Sequence, residues 1–171
     1  MNKTKTFRSQ DLYPPFLRKL ELLAAKCKER GVDYWAISGY RSHEEQERLY
    51  ALGRTVPNVD ATEEKPLGGR VTNARGGRSF HNWTVAADFA LDKDSTREGL
   101  QPDWNFEAYR ILAEEAQAIG LEAGFFWKSF PDAPHVQLPL AKVGLKLLDL
   151  QTWYSKGGMP LVWANLDKYN W

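Results

Sequence analysis

Near the start of the chain, Leu17, Leu20, Leu22, Leu23, Ala24 and Cys27 recur at helical spacing with charged residues between them. The pattern predicts an amphipathic helix, with Gly31 as its stop. Residues 34–40, Tyr-Trp-Ala-Ile-Ser-Gly-Tyr, read as a short, partly buried strand. Ser42 followed by Glu45 fits a capping box and opens a second helix that runs to about Gly53. From Arg54 to Arg78 the sequence is rich in Gly, Pro, Asn and charge and keeps no period. A loop of that length inside a compact domain is usually functional or mobile. An apolar run over 83–91 predicts a buried strand, and a helix is expected over 105–119, capped by Asp103 or Asn105 and stopped by Gly120. Two further strands are expected over 124–127 and 135–138, joined by an Asp-Ala-Pro turn, with Pro139 opening a helix through Leu150. There is no internal repeat. This order of elements predicts an α+β fold, with helices packed on a small, mainly antiparallel sheet.

At 171 residues, 26% charged and 43% hydrophobic, the chain suits one soluble domain with an ordinary core. Residues 1–150 are expected to form that domain. The tail, 151–171, carries Gly157-Gly158 and several aromatics, and is read as cover for the core, being too short to fold alone. A net charge of +1 gives no reason to expect nucleic acid or an anionic membrane as a partner. Arg70, Arg75 and Arg78 do cluster; an anionic substrate could use them, although a solvated loop is the plainer reading. Cys27 is the only cysteine, which excludes an internal disulfide, and its place in the helical pattern makes it a small buried or half-buried side chain. The N-terminal stretch MNKTKTFRSQDLYPPF has no apolar signal core, and no segment approaches the length of a membrane span. Seven Trp, seven Tyr and eight Phe are many for this length, enough to fill a core or line a groove for an extended substrate.

Two of the three histidines carry the candidate chemistry. His81 lies in Ser79-Phe-His-Asn-Trp-Thr-Val-Ala-Ala-Asp88, and His135 closes Trp127-Lys-Ser-Phe-Pro-Asp132-Ala-Pro-His. His81, Asp88 and His135 supply two imidazoles and a carboxylate, the donor types of a catalytic zinc that keeps one position open for water. An acid inside an apolar run, as Asp88 is, costs free energy to bury unless paired or bound to a metal; the plainer alternative puts it on the solvated face of an edge strand. Asp132 stands three residues before His135 with a proline on either side, placed to take a proton from water beside such a metal. Its alternative is a turn-forming Asp, and that of His135 a satisfied core or edge residue. Asp92 and Asp94 read as turn residues. Arg41, ending the strand before the second helix, could steady the charge that develops on a scissile carbonyl. His43, on the first turn of that helix, reads as a surface residue. The set points to a zinc hydrolase.

The blocks Ser38-Gly-Tyr-Arg-Ser-His-Glu-Glu-Gln46, Gly53-Arg-Thr, Ser79-x-His81 through Asp88, and Trp127-Lys-Ser-Phe-x-Asp132-x-Pro-His135 stand in one order from about residue 36 to 138. They resemble the L-alanyl-D-glutamate endopeptidases, found as phage endolysins and bacterial wall hydrolases. These are relatives of the zinc-dependent D-alanyl-D-alanine carboxypeptidases. The resemblance implies one zinc per chain on His81, Asp88 and His135, Asp132 as general base, Arg41 on the substrate carbonyl, and Ser79 close to substrate. It departs at Thr84, where the family often has Gly, and at Val136, commonly Phe. Neither position supplies a ligand, so what they touch is the groove's shape and the bond cut. Residues 57–67 and the tail lie outside it.

The resulting expectation is a monomeric zinc endopeptidase that cleaves peptidoglycan stem peptides between L-Ala and D-Glu. With no signal core it would be made in the cytoplasm and reach the wall through a holin-type membrane lesion, as a phage lysin does. A D-alanyl-D-alanine carboxypeptidase with the same site is the near rival. A wall-binding module with purely structural zinc is the distant one; it needs a fourth protein ligand, for which His43 is the only and a poor candidate.

Overall fold

A computed structural model describes residues 11–94 and 96–171. Residues 1–10, most of the stretch read for a signal core, lie outside them. Helix α1 (Pro14–Glu29) opens with Pro14 and Pro15, whose missing N–H groups cost nothing in a first turn. Its buried stripe is Phe16, Leu20, Leu23 and Cys27, laid against α3 (Arg110–Ala118) and strand β1 (Tyr34–Ser38). The Ser42 cap of α2 (His43–Ala51) is present, its Oγ accepting from Glu45 N at 3.0 Å.

Five antiparallel strands form the sheet: β1, β2 (Ala86–Asp92), β3 (Pro102–Asp103), β4 (Glu122–Ala123) and β5 (His135–Gln137), in the order β1-β2-β5-β4 with β3 also on β2. The expected α+β architecture is therefore the one observed. Strand β2 is central, and its register sets Asp88 against Ser38 on one side and His135 on the other. Side chains alternate across a strand, so Ala87, Phe89 and Val136 enter the core while Asp88, His135 and Gln137 share the opposite face. Asp88 is thus on no edge strand, which removes the plainer reading given above.

Four local expectations are corrected. Phe80–Trp83 is a 3-10 turn and the strand begins only at Ala86, because Thr84 reverses the backbone at φ 66°. Residues 124–127 are no strand: Gly124–Phe126 is a 3-10 turn whose Gly124 carbonyl accepts from Asp132 N at 2.9 Å. A Cβ at Gly124 would stand 2.5 Å from the Asp132 carbonyl oxygen, so the missing side chain lets the Asp132 loop close. The helix expected over 105–119 starts as a 3-10 turn (Phe106–Tyr109) before α3. Pro139 precedes a 3-10 turn (Leu140–Val143), and the helix, α4, runs instead over Leu147–Leu166 with a kink at Gly157 and Gly158.

Val162 and Leu166 of α4 lie in the core, with Trp163, Tyr169 and Trp171 packed against it. Tyr13 Oη donates to Asp167 at 2.6 Å, joining the C-terminal segment to the start of α1. Cys27 is fully buried. Among the described residues no helix is long and apolar enough to cross a membrane. The 54–78 segment is held by side-chain bonds: Asp60 accepts from Gly69 N (2.9 Å), and Asn58 Nδ2 donates to Gly69 O (2.9 Å). It returns onto α2, where buried Gln46 donates to the Ala74 carbonyl at 2.8 Å.

Candidate metal centre and active site

His81 sits in the capped turn Phe80–Trp83, as its Ser and Asn neighbours suggest. Asn82 fixes that turn, its Oδ1 accepting from Gly77 N (3.0 Å) and Ser79 N (3.2 Å) while its Nδ2 donates to the carbonyls of Arg41 (2.8 Å) and Ser42 (3.2 Å). Arg41 N in turn donates to the His81 carbonyl at 3.1 Å. The imidazole is aimed by Gly39, whose carbonyl lies 2.7 Å from Nδ1. A carbonyl can only accept, so Nδ1 carries the hydrogen and Nε2 presents its lone pair. On β5 the arrangement is mirrored: His135 Nε2 meets Gln137 Oε1 at 3.0 Å and Nδ1 faces Asp88.

His81 Nε2 lies 3.2 Å and His135 Nδ1 3.0 Å from Asp88 Oδ1, and one donor atom from each of the three residues falls within a 4.8 Å span. The two flanking acceptors thus turn both lone pairs toward one carboxylate. Three acceptors in contact repel unless a cation or added protons lie between them. That is the chemistry of a site built for a divalent metal, with outer hydrogen bonds orienting each imidazole. Burial pushes the Asp88 carboxyl up, but the charge of His81 and the bond from His135 outweigh it and hold Asp88 well below the usual carboxylate range. Burial lowers His135, and its bond to Asp88 reverses this to a net rise.

Asp132 lines the same cleft and is half-buried. Burial raises its carboxyl; the charge of His135 opposes this, Asp88 adds to it, and His81 and Arg41 oppose it, leaving a net rise. Its loop is tied at both ends, since His135 N donates to the Asp132 carbonyl (3.1 Å) and Phe89 N to the Pro134 carbonyl (3.0 Å). Arg41 spreads its guanidinium over three partners: Gln46 Oε1 (2.8 Å), Ser38 Oγ (3.0 Å) and Asp88 Oδ2 (3.4 Å). Ser79 caps the His81 turn and also lines the cleft. The cleft measures about 530 Å³; Thr72, Asn73 and Arg78 contribute to its lining, as do the aromatics Trp104, Trp127 and Phe130.

Six residues proposed from sequence, Arg41, Ser79, His81, Asp88, Asp132 and His135, therefore line one cleft. His43 lies apart from the set, exposed, its ring against Trp83 (5.2 Å) and Tyr154 (5.8 Å). Asp92 ends β2, and its Oδ1 accepts from Asp94 N and Gln101 N, a turn role. Sequence reasoning gave no role to Gln137, Gln46, Asn82 or Trp127, whose ring lies 5.2 Å from that of His135. Gln137 had a usable signal: two residues past a ligand on a strand lies on the same face.

Fold and site together define a metal-dependent peptide hydrolase. The chain belongs to the VanY family, D-alanyl-D-alanine carboxypeptidase, whose family model matches residues 9–135. It is 36% identical over 138 residues to the peptidoglycan L-alanyl-D-glutamate endopeptidase CwlK of Bacillus subtilis (strain 168), spanning 75% of this chain and 74% of that protein. Among solved structures it is similar to the Serratia marcescens L-Ala D-Glu endopeptidase ChiX, with a TM-score of 0.55 and 19% identity over 80% of this chain and 87% of that one. It is also similar to the vancomycin resistance D,D-pentapeptidase VanY from a VanB-type cassette, an E175A mutant in complex with Zn(II). There the TM-score is 0.53 and the identity 21%, over 79% and 80% of the two chains. At these identities the two structures speak for the shared fold.

Proposed function

We propose that this protein is a zinc endopeptidase that cuts peptidoglycan stem peptides between L-Ala and D-Glu. The observation that carries the reading is the convergence of His81 Nε2, Asp88 Oδ1 and His135 Nδ1 in a cleft that also holds Asp132 and Arg41. The choice of bond rests on the 36% identity to an L-alanyl-D-glutamate endopeptidase across about three quarters of both chains. Two imidazoles and a carboxylate suit zinc, the ion named in the VanY relative. When bound, zinc supplies Lewis-acid polarisation and lowers the pKa of water.

The chain's own groups supply the rest. Asp132, held in the cleft by its tied loop, takes the proton of the attacking water and returns it to the leaving amine. Arg41, braced by Ser38 and Gln46, steadies the charge that grows on the scissile carbonyl oxygen. Ser79 sits beside the substrate. Residues 1–150 act as the catalytic unit, with 151–171 packed over it, and the protein works as a monomer on the wall in an endolysin-type role. The motif blocks support that last step.

The family description favours a second reading, a D-alanyl-D-alanine carboxypeptidase with the same zinc site. Digestion of purified muropeptides followed by mass spectrometry separates the two. Endopeptidase action leaves disaccharide–L-Ala and a peptide with D-Glu at its N-terminus; carboxypeptidase action releases free D-Ala. A structural zinc module would need a fourth protein ligand, and among the described residues the cluster holds three. Absence of hydrolysis on several wall chemotypes would restore that module as the better reading.

A further inference from the structure

The Arg70, Arg75 and Arg78 cluster separates in the structure. Arg75 pairs with Glu47 (3.7 Å) and lies over the Tyr50 ring, and Arg70 is not part of the cleft. Arg78 lines the cleft, is exposed, and among the described residues has no ion-pair partner. Arg41, the other cation of the lining, already serves three protein acceptors. Arg78 is also mounted on fixed backbone. Its N donates to Arg75 O (2.9 Å), and the preceding Gly77 carbonyl accepts from Trp83 Nε1 (3.2 Å) and Gln151 Nε2 (2.9 Å). The segment that carries Arg78 is bonded to α2, where Gln46 donates to the Ala74 carbonyl (2.8 Å) and Glu47 accepts from Gly76 N (2.9 Å). In sequence, Trp127 and Phe130 fall between β4 and β5 and Trp104 follows β3, so Arg78 and these three aromatics reach the cleft from different segments.

Substrate chemistry supplies the matching anion. In a stem peptide the chain leaves D-Glu through its side-chain carboxyl, so its α-carboxylate is free and shares a carbon with the leaving amine. A terminal D-Ala carries its carboxylate on the same carbon relative to the bond cut by a carboxypeptidase. The two bonds named by the family and by the relative therefore share one feature, an anion fixed beside the scissile nitrogen.

We propose that Arg78 is a specificity-determining residue that pairs with the free α-carboxylate of the leaving residue, so that the cleft selects against stem peptides in which that group is amidated. The inference rests on the L-Ala–D-Glu reading above. The test uses the zinc-loaded full chain and two synthetic tetrapeptides that differ only in carrying D-Glu or its α-carboxamide, with release of L-Ala measured. A hydrogen bond between charged groups predicts roughly 10- to 100-fold higher kcat/KM for the acid. In Arg78→Gln the acid-to-amide ratio should fall to about 1, and in Arg78→Lys it should keep an intermediate value. Thermal melting checks that both variants fold. Equal rates on the two peptides by the native enzyme, or a full preference surviving in Arg78→Gln, would overturn the proposal. Failure to cut either peptide alongside release of D-Ala from a D-Ala–D-Ala peptide would overturn the bond assignment itself, and the proposal with it.

Discussion

Replacing Gln137 by Leu tests the proposed metal centre without touching a candidate ligand. Gln137 is 5% exposed, and its Oε1 is the acceptor that fixes the hydrogen of His135 on Nε2, 3.0 Å away, leaving Nδ1 for the metal. Leu fills similar space but accepts nothing. The buried Nε2–H then lacks a partner, at a cost of about 1–3 kcal/mol, and the imidazole is free to take the wrong tautomer. Partners of this kind typically govern metal affinity by ~10–100-fold, which converts to about 1.4–2.7 kcal/mol. Competition with a chromophoric chelator should therefore show zinc binding weaker by that factor, with the melting of the metal-free protein serving as the folding control. Gln137→Glu offers the same hydrogen a stronger acceptor and makes the imidazole a better donor, so it should hold zinc at least as tightly as the native chain. An unchanged zinc Kd in Gln137→Leu would refute the reasoning, and so would equal weakening in both variants. His81 offers no such handle, because its partner is the Gly39 backbone carbonyl.

Three other outcomes follow from the same geometry. Asp132→Asn should lower hydrolysis of purified peptidoglycan by ~10²–10⁴-fold with zinc content intact; loss of zinc would instead make Asp132 a ligand. Arg41→Lys should reduce kcat with little change in KM, since an ammonium cannot bond Gln46 and Ser38 with one fixed fork, and an unchanged kcat would remove Arg41 from the chemistry. Burial first, then the nearby Glu115 charge, push the Cys27 thiol up to about 12 from an ordinary 9.0. Its contribution to stability is thus complete below the unfolded thiol's pKa and is lost as pH rises through the folded value. At pH 8 a thiol reagent should label Cys27 only in denaturant, and prompt labelling of the native protein would contradict its burial.

The candidate ligands were legible because each lies in a short segment whose residue types have few other uses together. His81 with Asp88, and Asp132 with His135, are local in sequence, and only the pairing of the two segments needed the fold. The sheet supplied it through one register, Asp88 opposite His135. What stayed hidden depends on contacts between distant segments or on backbone geometry. Nothing in a lone Gly39 announces a carbonyl aimed at an imidazole, and Gln46 reads as a polar helix position until the 54–78 segment folds over it and buries it. Residues 124–127 misled because Gly-Phe-Phe-Trp has strand-like composition, whereas closing the Asp132 loop against Gly124 requires a turn there. The helix expected from Pro139 through Leu150 begins later and runs on to Leu166, since Gly157 and Gly158 kink it without ending its packing.

Thr84 and the C-terminal segment are joined by a direct contact. Thr84 holds the only non-glycine left-handed backbone among the described residues, φ 66°, between the His81 turn and the strand that carries Asp88. A β-branched residue there costs on the order of 1–2 kcal/mol relative to glycine. Glycine, however, has no hydroxyl. Thr84 Oγ1 accepts from Trp163 Nε1 at 2.9 Å, and a partly buried bond of this kind contributes roughly 0.5–1.5 kcal/mol. Trp163 comes from the second half of α4, past the kink, where its ring also lies 6.2 Å from that of Tyr13. The strain at Thr84 is thus offset in part by a contact from the C-terminal segment. The same segment reaches the other end of the His81 turn, through Gln151 to the Gly77 carbonyl. Both anchors bracket the turn that aims His81, so the segment contributes to the site's geometry while supplying none of its donor atoms.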